Sequence, residues 1–479
     1  MSVRVRFAPS PTGSLHIGGV RTVLFAELFA RQNGGALVLR IEDTDQERLV
    51  PGAIDTIYDG LQWVGIRADE GPREGGPHAP YIQSERLPLY QEHAAQLVRG
   101  GAAYHCFCSK ERLEEMRRAQ QARGDAVTRY DGQCRSLDPT QAAERAAAET
   151  HVVRLKVPED GAITLHDLVY GDIEWPLSSI DDQVLLKSDG FPTYHLAVVV
   201  DDHVMGITHI FRAEDWLPST PKHLLVYAAF GWEPPAHAHL PNVLGPDGKK
   251  LSKRHGATAV SEFRARGFIP EGVTNYLALL GWAPGTEEEV FSHEELVARW
   301  QIDHVQHANA RWDEQRLLFF NGLWIRRLDE DDLLQRVRAD VPGEWDERVI
   351  RAAIPHIRER MRTLAEAKEL LSFLFTDDIP RDRDVIVPKK HDAGETAEAL
   401  GRTGVFLRYA EPFEAAVIDS GLKAIAEDLT WPVRDVHFAV RGAVTGSRVG
   451  FSLYDSIAML GRERSLARLE AAADAIIAP

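Results

Sequence analysis

Cysteine and long apolar runs are both scarce in this sequence. Three cysteines in 479 residues are too few for a disulfide framework, and so low a number suits a reducing compartment. The opening residues, MSVRVRFAPSPTG, contain no apolar run long enough for a signal peptide. The longest apolar stretches, such as 196–200 and 277–282, are far shorter than a membrane span. We therefore expect a cytoplasmic protein that does not contact a membrane.

Positive charge is also in deficit. The chain has 55 Lys and Arg residues against 72 Asp and Glu residues, which gives a net charge of −17. This balance alone does not suggest a nucleic-acid partner. Any contact with RNA must use local basic patches, and added salt should weaken it because phosphate contacts release counterions. At roughly 150 residues per domain, the length predicts two to four domains.

The first forty residues predict a βαβ unit. Residues 3–7 alternate apolar and basic side chains and are expected to form a strand. A helix with one apolar face is predicted over 16–31, and it should end at the Asn-Gly-Gly of 33–35. Residues 36–41 are expected to form a second strand, which runs into an acidic segment at 42–45. Strand, helix and strand within so short a span are typical of a crossover unit.

The character of the sequence changes between residues 104 and 190. A cysteine-bearing segment precedes a predicted charged helix at 111–123 and predicted strands at 152–157 and 182–186. We expect this region to be an insertion into the first fold.

After the insertion the sheet is expected to resume. Residues 195–200 and 208–211 are predicted to be buried strands, and 220–230 a second crossover helix. From about residue 325 onward the pattern is almost wholly helical, without strand-like alternation. The predicted helices, separated by breaks rich in Pro and Asp, cover 331–339, 349–374, 396–420 and 453–477.

The string PSPTGSLHIGG at 9–19 lies between the first strand and the start of the first helix. Free backbone N–H groups and the helix dipole attract phosphate at such a place. Gly13, Gly18 and Gly19 let the backbone approach a bulky ligand, and His16 can donate to an oxygen on which negative charge builds. A lone His-x-Gly would indicate only a tight turn, but the whole string favours a nucleotide site.

A second motif, KLSKR, lies in the loop GPDGKKLSKRHG. A solvated basic turn is the usual explanation of such a run. Here the flanking glycines, Gly245, Gly248 and Gly256, suggest a mobile lid, and Lys253 is suited to neutralise charge on departing pyrophosphate. Paired with the first motif, this one indicates a nucleotide site that is split along the chain.

Together these motifs resemble the two signatures of the class I aminoacyl-tRNA synthetases. The sequence is more closely similar to the bacterial glutamyl-tRNA synthetases. The strings that carry this resemblance are RFAPSPTGSLHIGG, LRIEDTD, YIQSERLPLY, LKSDGFPTYHLAVVVDDHVMGITHI, FRAEDW and KLSKR. The resemblance is scattered over the catalytic half and recurs more weakly near the C-terminus, at LGRERSLARL. The fourth position of the first signature is Gly19, where many class I enzymes have histidine.

The resemblance implies an α/β fold: a class I Rossmann-like parallel-sheet catalytic domain with an inserted acceptor-binding domain, and an all-α C-terminal anticodon-binding region. The two halves of the catalytic domain are expected at 1–103 and 191–245, on either side of the inserted tRNA acceptor-binding domain. The expected boundaries of the other parts are 104–190 for that insertion, 246–325 for the KLSKR loop with a stem-contact domain, and 326–479 for the α-helical anticodon-binding region.

The activity implied by the resemblance is ATP-dependent attachment of L-glutamate to tRNA-Glu in two steps, through a glutamyl-adenylate. A carboxylate nucleophile is already ionised at pH 7, so positioning and charge stabilisation must supply the acceleration. Mg²⁺ should accompany ATP, held mainly by phosphate and water. The residues expected to be catalytic are His16, Gly18, Lys250 and Lys253. Those expected to bind ATP are Gly13, His16, Gly18, Gly19, Lys250, Ser252 and Lys253.

Selectivity for glutamate requires a cation for the side-chain carboxylate, and Arg6 can supply a bidentate fork. The resemblance adds Ser10, Glu42, Tyr194 and Arg212 to the pocket, with Glu42 receiving the α-ammonium group. Val198 stands where some family members have asparagine. Purely structural explanations also exist: Arg6 could be an exposed strand residue, Glu42 a loop charge, and Tyr194 part of the core. A fixed charge rejects glutamine without editing, and no segment resembles an editing domain.

The cysteines Cys106, Cys108 and Cys134 are similar to a zinc-binding knuckle of some glutamyl-tRNA synthetases. In those proteins a histidine follows the third cysteine by two residues, and here that position is Ser136. Structural zinc requires four protein ligands, and His105 is a candidate for the fourth. Whether zinc binds therefore stays open, since the insertion could fold without metal and contact the tRNA acceptor end.

The helical C-terminal region has a size suited to an anticodon reader, because single-stranded bases are read by stacking and by hydrogen bonds to their edges. Arg358 and Arg441 match arginines with this role in the family, although either could be a surface salt-bridge residue. We expect a monomer that charges tRNA-Glu.

Four alternatives remain at this point. The chain could be a glutaminyl enzyme, or a non-discriminating enzyme that also charges tRNA-Gln, although LRIEDTD and the helical C-terminal half favour the glutamyl type. A paralogue that modifies a tRNA base resembles only the catalytic half. A small-molecule nucleotidyltransferase would be shorter and would lack KLSKR. A non-catalytic RNA-binding protein would have lost one of the two signatures.

Overall fold

The structure is a computed structural model that describes residues 2–125 and 128–478. The chain divides into two compact units. The first comprises Met1–Phe263 and Val273–Glu314, and the second comprises Arg264–Gly272 and Gln315–Pro479. Among the described residues, no helix is both long and apolar enough to cross a membrane.

All the strands of the described chain precede residue 312. They are β1 (Arg4–Phe7), β2 (Ala36–Leu39), β3 (Ala103–Cys106), β4 (Val152–Leu155), β5 (Ala162–Asp167), β6 (Gly171–Pro176), β7 (Val184–Leu186), β8 (His209–Ala213), β9 (Ala236–Leu240), β10 (Val243–Leu244) and β11 (Ala310–Arg311).

Helices occur along the whole chain. Those that begin before residue 300 are α1 (Ile17–Gln32), α2 (Ala53–Trp63), α3 (Leu87–Arg99), α4 (Lys110–Arg123), α5 (Pro139–Ala148), α6 (Tyr194–Val204), α7 (Thr220–Phe230), α8 (Val260–Ala265), α9 (Pro270–Leu279) and α10 (His293–Arg299). The later ones are α11 (Glu314–Arg327), α12 (Glu330–Asp340), α13 (Glu347–Arg358), α14 (Glu366–Phe375), α15 (Arg383–Ile386), α16 (Ala393–Tyr409), α17 (Ala415–Asp428), α18 (Val433–Thr445), α19 (Leu453–Leu460) and α20 (Arg462–Ile477).

The main sheet of the first unit has the strand order β2-β1-β8-β9-β5-β6. All neighbours in it are parallel except the β5–β6 hairpin, which is antiparallel. The predicted βαβ unit is confirmed, since β1 and β2 pair in parallel and α1 connects them. The predicted resumption of the sheet is also confirmed, because β8 pairs directly with β1.

The first helix begins and ends where the sequence signals place it. His16 caps its N-terminus and accepts a hydrogen bond from the backbone N–H of Gly18. Asn33 is the C-terminal cap, and Gly34 follows with a φ of 59°, a left-handed conformation that glycine adopts without strain. One face of the helix is buried against β1 and β8, and this packing fixes the start of the helix beside the end of β1.

The segment 104–190 contributes to two sheets, which its strand pattern alone did not predict. Strands β3, β4 and β7 form an antiparallel sheet of their own. The β5–β6 hairpin instead extends the main sheet, where Asp167 of β5 pairs with His237 of β9. Part of the predicted insertion is therefore built into the edge of the parallel sheet.

The predicted strand at 195–200 is wrong, because these residues belong to α6. Residues 196–200 are all apolar and buried, so this part of the helix has no polar, exposed face. A continuous buried apolar run lacks the periodicity that separates a strand from a helix. Tertiary burial therefore hid the helical pattern.

Three of the long helices predicted in the second unit are each two shorter helices. The predicted helix 396–420 breaks after α16 at Ala410, just before Pro412, and the predicted helix 453–477 breaks at Gly461, which has a φ of 84°. The predicted helix 349–374 breaks after Arg358 without a glycine or proline at the break. There Met361 and Leu364 enter the core, and the N–H of Leu364 donates to the carbonyl of Gly267 at 2.8 Å. Packing therefore overrides local helix preference at this break.

The described part of the second unit contains no strand, and its apolar core is formed mainly by helix side chains. Buried side chains from α12 through α20, such as Ile350, Leu371, Leu422, Val440 and Ile457, form one continuous cluster. This all-helical architecture agrees with the sequence pattern after residue 325.

Candidate active site

A cleft of about 1210 Å³ opens in the first unit, at the carboxyl ends of β1 and β8. Ligands commonly bind at this edge of a parallel sheet. Ten of the residues expected to form the site line this single cleft: Arg6, Ser10, His16, Gly18, Gly19, Glu42, Tyr194, Arg212, Lys250 and Ser252. Gly13 is not among the lining residues, and the side chain of Lys253 lies outside the described part of the structure.

The first signature places His16 in a defined tautomer. The Nδ1 atom of His16 accepts from the N–H of Gly18 at 2.9 Å, so the proton of the neutral ring is on Nε2. A ring in this form can donate to a phosphate oxygen. Gly13 has a φ of 138°, which a residue with a Cβ rarely adopts, and the turn that leads to α1 depends on it.

The second signature lies beside the first, although 230 residues separate them along the chain. The N–H of Ile17 donates to Thr258 at 2.8 Å, and the N–H of Val260 donates to Leu15 at 3.0 Å. These backbone bonds join the loop that follows KLSKR to the start of α1. The two motifs that were predicted to form a split nucleotide site are therefore adjacent in space.

Within KLSKR, the Nζ atom of Lys250 contacts the carboxylate of Asp215, and partial burial lowers the pKa of this lysine. Leu251 is buried and anchors the loop, since its N–H donates to the carbonyl of Val243 at 2.8 Å. The N–H of Ser252 donates to Nδ1 of His255 at 3.1 Å. The backbone of Lys253 lies in a short 3-10 helix, Lys253–His255. These contacts hold the loop next to the cleft.

Arg6 belongs to a buried charge network at one side of the cleft. Its Nε donates to Asp202 at 3.2 Å, and Asp202 also accepts from Arg40 at 2.7 Å. Arg40 is fully buried and donates to Glu42 at 3.0 Å. Burial raises the pKa of Glu42 despite both arginines. In Asp202, burial is outweighed by Arg6 and Arg40, which hold its pKa below its ordinary value.

Arg212, which also lines the cleft, is hydrogen-bonded to uncharged partners. It is buried, and its Nε donates to Nε2 of His239 at 2.9 Å. Its terminal nitrogens lie 3.2 Å from Nδ1 of His223 and 2.8 Å from the hydroxyl of Thr220. Burial lowers the pKa of Arg212, and it lowers the pKa of His223 strongly. In His223 the neighbouring guanidinium group of Arg212 adds to the effect of burial on the pKa.

Tyr194 begins α6 and packs against Trp216, with 4.4 Å between the ring centroids. Both rings line the cleft. Val198 is one helical turn further on and lies in the apolar core, not among the lining residues. A side chain at that position therefore offers no polar contact here.

The three cysteines come together in the predicted insertion. The sulfur atoms of Cys106, Cys108 and Cys134 all lie within 4.8 Å of one another. The hydroxyl of Tyr130 lies 3.4 Å from the first and 3.3 Å from the second, and it accepts from the N–H of Cys134 at 3.0 Å. His105, the fourth ligand considered from the sequence, is not in this cluster and packs against His151. Ser136 is exposed.

The two arginines expected to read the anticodon both belong to the second unit. Arg358 ends α13, and its Nε and one terminal nitrogen are buried without a hydrogen-bond partner in the described structure. Arg441 lies in α18 and donates to the carbonyl of Phe451 at 2.9 Å. Neither arginine forms a salt bridge in the described structure, so the alternative that they are surface salt-bridge residues is not supported.

Sequence reasoning missed the residues that hold the two cleft arginines. Asp202 follows closely after an apolar run, and His239 lies in the alternating segment AHAHL of β9. A polar residue within or beside an apolar segment was the sequence signal that could have identified both. Arg21 was also missed. It lines the cleft, donates to the carbonyl of Pro241 at 2.6 Å, and burial lowers its pKa to about 10.

Two domain families match the chain. The tRNA synthetases class I (E and Q), catalytic domain, match residues 2–319, and the anticodon binding domain matches residues 329–473. The chain is 43% identical to the glutamate–tRNA ligase of Dehalococcoides mccartyi (strain CBDB1), over 98% of this chain and 96% of that protein. It is 46% identical to the glutamate–tRNA ligase of Roseiflexus castenholzii, over 99% of this chain and 97% of that protein.

Solved structures agree with the sequence matches. The glutamate tRNA ligase from Elizabethkingia meningosepticum, solved in complex with its amino acid, is 34% identical and superposes with a TM-score of 0.88. This match covers 99% of this chain and 100% of that one. The matched domains and relatives confirm the expected fold class, and they exclude the shorter nucleotidyltransferase alternative. The chain belongs to the class I tRNA synthetases, within the group of glutamate–tRNA ligases.

Proposed function

We propose that this chain joins L-glutamate to tRNA-Glu in two ATP-dependent steps, and that the cleft of the first unit carries out both. The observation that supports this most directly is the charge pattern of the cleft. L-Glutamate carries two carboxylates and one ammonium group at neutral pH. The residues that line the cleft include the buried guanidinium groups of Arg6 and Arg212 and the carboxylate of Glu42. The charges of substrate and site are therefore complementary.

In this proposal Arg6 binds the side-chain carboxylate, and Glu42 receives the α-ammonium group. Burial raises the pKa of Glu42, and an incoming ammonium ion would oppose that shift by stabilising the carboxylate. Ser10, Tyr194 and Arg212 complete the pocket. Glutamine is rejected because its neutral amide leaves a buried arginine unmatched, and such rejection can reach roughly 10⁴-fold.

Adenylate formation uses residues of both signatures. The glutamate α-carboxylate attacks the α-phosphate of ATP, a bond to the β-phosphate breaks, and pyrophosphate leaves. His16 donates from Nε2 to a phosphate oxygen, and Gly18 and Gly19 give the phosphates access to the start of α1. Lys250 and Lys253 neutralise the departing pyrophosphate, with Ser252 beside them.

In the second step the terminal ribose hydroxyl of tRNA attacks the adenylate carbonyl, and AMP leaves. Mg²⁺ accompanies ATP through phosphate oxygens and water. The insertion 104–190 receives the acceptor end, and the helical unit reads the anticodon through Arg358 and Arg441. The protein acts as a monomer in the cytoplasm, where its three cysteines stay reduced.

The cysteine cluster of the insertion is suited to a structural zinc ion. Zinc takes four donors in a tetrahedron, with thiolates preferred. Cys106, Cys108 and Cys134 supply three, and the hydroxyl of Tyr130 lies among their sulfur atoms as the fourth. When bound, zinc would tie the end of β3 to the segment that precedes α5. Ser136 has no part in this set.

The decisive experiment is glutamate-dependent ATP–pyrophosphate exchange, measured with and without tRNA-Glu, followed by charging of tRNA-Glu and tRNA-Gln in parallel. Exchange with glutamate but not with glutamine or aspartate is expected, and family resemblance predicts that tRNA is needed. The absence of exchange both with and without tRNA-Glu would overturn the enzymatic proposal. Charging of tRNA-Gln at a similar rate would replace it with the non-discriminating alternative.

A further inference from the structure

We infer that Asp167 and His239 are positioning residues that hold Arg212 in the glutamate pocket while leaving its positive charge available to a substrate carboxylate. This inference rests on the proposed function and adds two residues to it. Neither belongs to a signature, and Asp167 lies in the inserted segment. The inference starts from one continuous chain of hydrogen bonds behind Arg212.

The chain runs from Asp167 through His239 to Arg212. Oδ2 of Asp167 lies 2.6 Å from Nδ1 of His239, and Nε2 of His239 lies 2.9 Å from Nε of Arg212. The side chains of Asp167 and His239 are fully buried. No bulk water competes with these bonds, so each donor and acceptor depends on its protein partner.

The direction of each bond follows from the chemistry of arginine. A guanidinium nitrogen can only donate, so Nε2 of His239 must be the acceptor and carries no proton. The proton of the neutral ring is then on Nδ1 and is donated to Asp167. Asp167 thus fixes the tautomer in which His239 can hold Arg212.

Both carboxylate oxygens of Asp167 accept hydrogen bonds, and these bonds favour its ionised form. Its Oδ1 accepts from the backbone N–H groups of Val169 at 2.9 Å and Tyr170 at 3.0 Å. Burial alone would raise its pKa, but His239 and these amides outweigh burial and keep the pKa below its ordinary value. Asp167 is therefore a carboxylate that accepts at both oxygens.

A second histidine holds Arg212 in the same way from the other side. Nδ1 of His223 lies 3.2 Å from a terminal nitrogen of Arg212, so this ring also accepts and its proton is on Nε2. That proton is donated to Nδ1 of His195, 3.0 Å away. With Thr220 as a further acceptor, the described partners of Arg212 are all uncharged groups.

The two cleft arginines are therefore held by opposite means. Arg6 is held by the carboxylate of Asp202, and that single negative charge is shared with Arg40. Arg212 is hydrogen-bonded to imidazoles and a hydroxyl, Asp167 lies behind His239, and Asp202 acts on Arg212 only through space. A guanidinium that is oriented by neutral acceptors keeps its attraction for a substrate carboxylate.

An asparagine at 167 would reverse this arrangement. The amide oxygen would stay with the two backbone N–H groups, so the amide NH₂ would face Nδ1 of His239. His239 would then have to accept there and carry its proton on Nε2, opposite the N–H of Arg212. Two donors cannot share that space, so Arg212 would be displaced.

The test is the KM for glutamate and for ATP in pyrophosphate exchange, with tRNA-Glu present, for the wild type and Asp167→Asn. We expect the glutamate KM to rise ~10–100-fold and the ATP KM to stay within ~2-fold. The matched control is Asp172→Asn, which removes a carboxylate from an exposed His–Asp pair in the same hairpin. It should leave both constants unchanged.

A second pair of variants covers the possibility that Asp167→Asn fails to fold. His239→Gln keeps a neutral acceptor within reach of Arg212 and should retain most of the glutamate affinity, whereas His239→Leu should lose it. Equal behaviour of these two variants would overturn the inference. An unchanged glutamate KM in folded Asp167→Asn, or an equal rise in both constants, would also overturn it. Absent exchange in the wild type would count against the proposed function instead.

Discussion

Arg6 donates from Nε to the carboxylate of Asp202 across 3.2 Å, and both side chains are buried. The same carboxylate accepts from Arg40 at 2.7 Å, so it is held from two directions. Arg6 cannot swing into solvent without leaving Asp202 under-compensated inside the protein, which is costly for a buried charge. The arginine proposed to select glutamate is therefore preorganised.

The first prediction concerns Arg6→Lys. A lysine keeps the charge but loses the fork that can hold Asp202 and a substrate carboxylate together. The glutamate KM in pyrophosphate exchange should rise by ~10–100-fold, with little change in the ATP KM. Arg4→Lys is the matched control, because Arg4 lies on the same strand and pairs with Glu70, outside the cleft. Equal effects of the two variants would contradict the proposed role of Arg6.

The second prediction concerns Lys250→Ala. Removal of a cation from the cleft should slow adenylate formation by ~10²-fold, because charge on departing pyrophosphate is no longer neutralised. The KM values for glutamate and ATP should change far less, and affinity for tRNA should be nearly intact. Lys249→Ala is the control, since Lys249 is exposed and does not line the cleft. Lys253→Ala should resemble Lys250→Ala. A loss confined to the KM for ATP would point to ground-state binding instead.

The third prediction concerns the pH dependence of stability and His237, a buried residue of β9 on which the charge of Arg212 acts. Burial lowers the pKa of His237 to about 3. Because the folded state resists protonation, the unfolded state takes up the proton first as pH falls below about 6.5, and stability is lost. Between about pH 7.5 and about pH 5, this proton uptake lowers the free energy of unfolding by about 2 kcal/mol.

His237→Leu should therefore reduce the loss of unfolding free energy over that pH range by about 2 kcal/mol. Urea unfolding at the two pH values measures this difference. His166→Leu is the control, because it removes a histidine that is 76% exposed. An identical pH dependence in the wild type and His237→Leu would show that His237 is not held neutral.

The fourth prediction concerns zinc. The purified protein should contain about one zinc ion per chain, and Cys134→Ser should lose most of it. Tyr130→Phe should bind zinc more weakly, since it removes the fourth donor. Ser136→Ala should keep the full content, because Ser136 is exposed and outside the cluster. Metal analysis of the purified variants decides this, and a zinc-free wild type would refute the metal site.

What the sequence could predict depends on how far apart the interacting residues lie. The first signature is a local strand–turn–helix feature, so its string was sufficient to place His16 and its glycines. The pairing of Asp167 with His239 spans 72 residues, and that of Arg6 with Asp202 spans 196. No local pattern encodes such contacts, so the carboxylates behind both cleft arginines were not predicted.

Helix assignments failed for a related reason. The run at 196–200 is buried on every side and lost the periodicity that marks a helix, so it was predicted to be a strand. The break after Arg358 depends on Met361 and Leu364 entering a core, which local helix preference does not reveal. By contrast, the ends of α1 carried cap residues and were predicted closely.

The β5–β6 hairpin has a consequence for any attempt to shorten this protein. Residues 104–190 look like a separable module in the sequence, yet this hairpin covers the outer edge of β9. Excision of the module would uncover unpaired backbone groups along β9, and an exposed strand edge invites aggregation. It would also remove the carboxylate beneath His239. A minimal version of the enzyme therefore has to retain 162–176, even if the rest of the module is replaced.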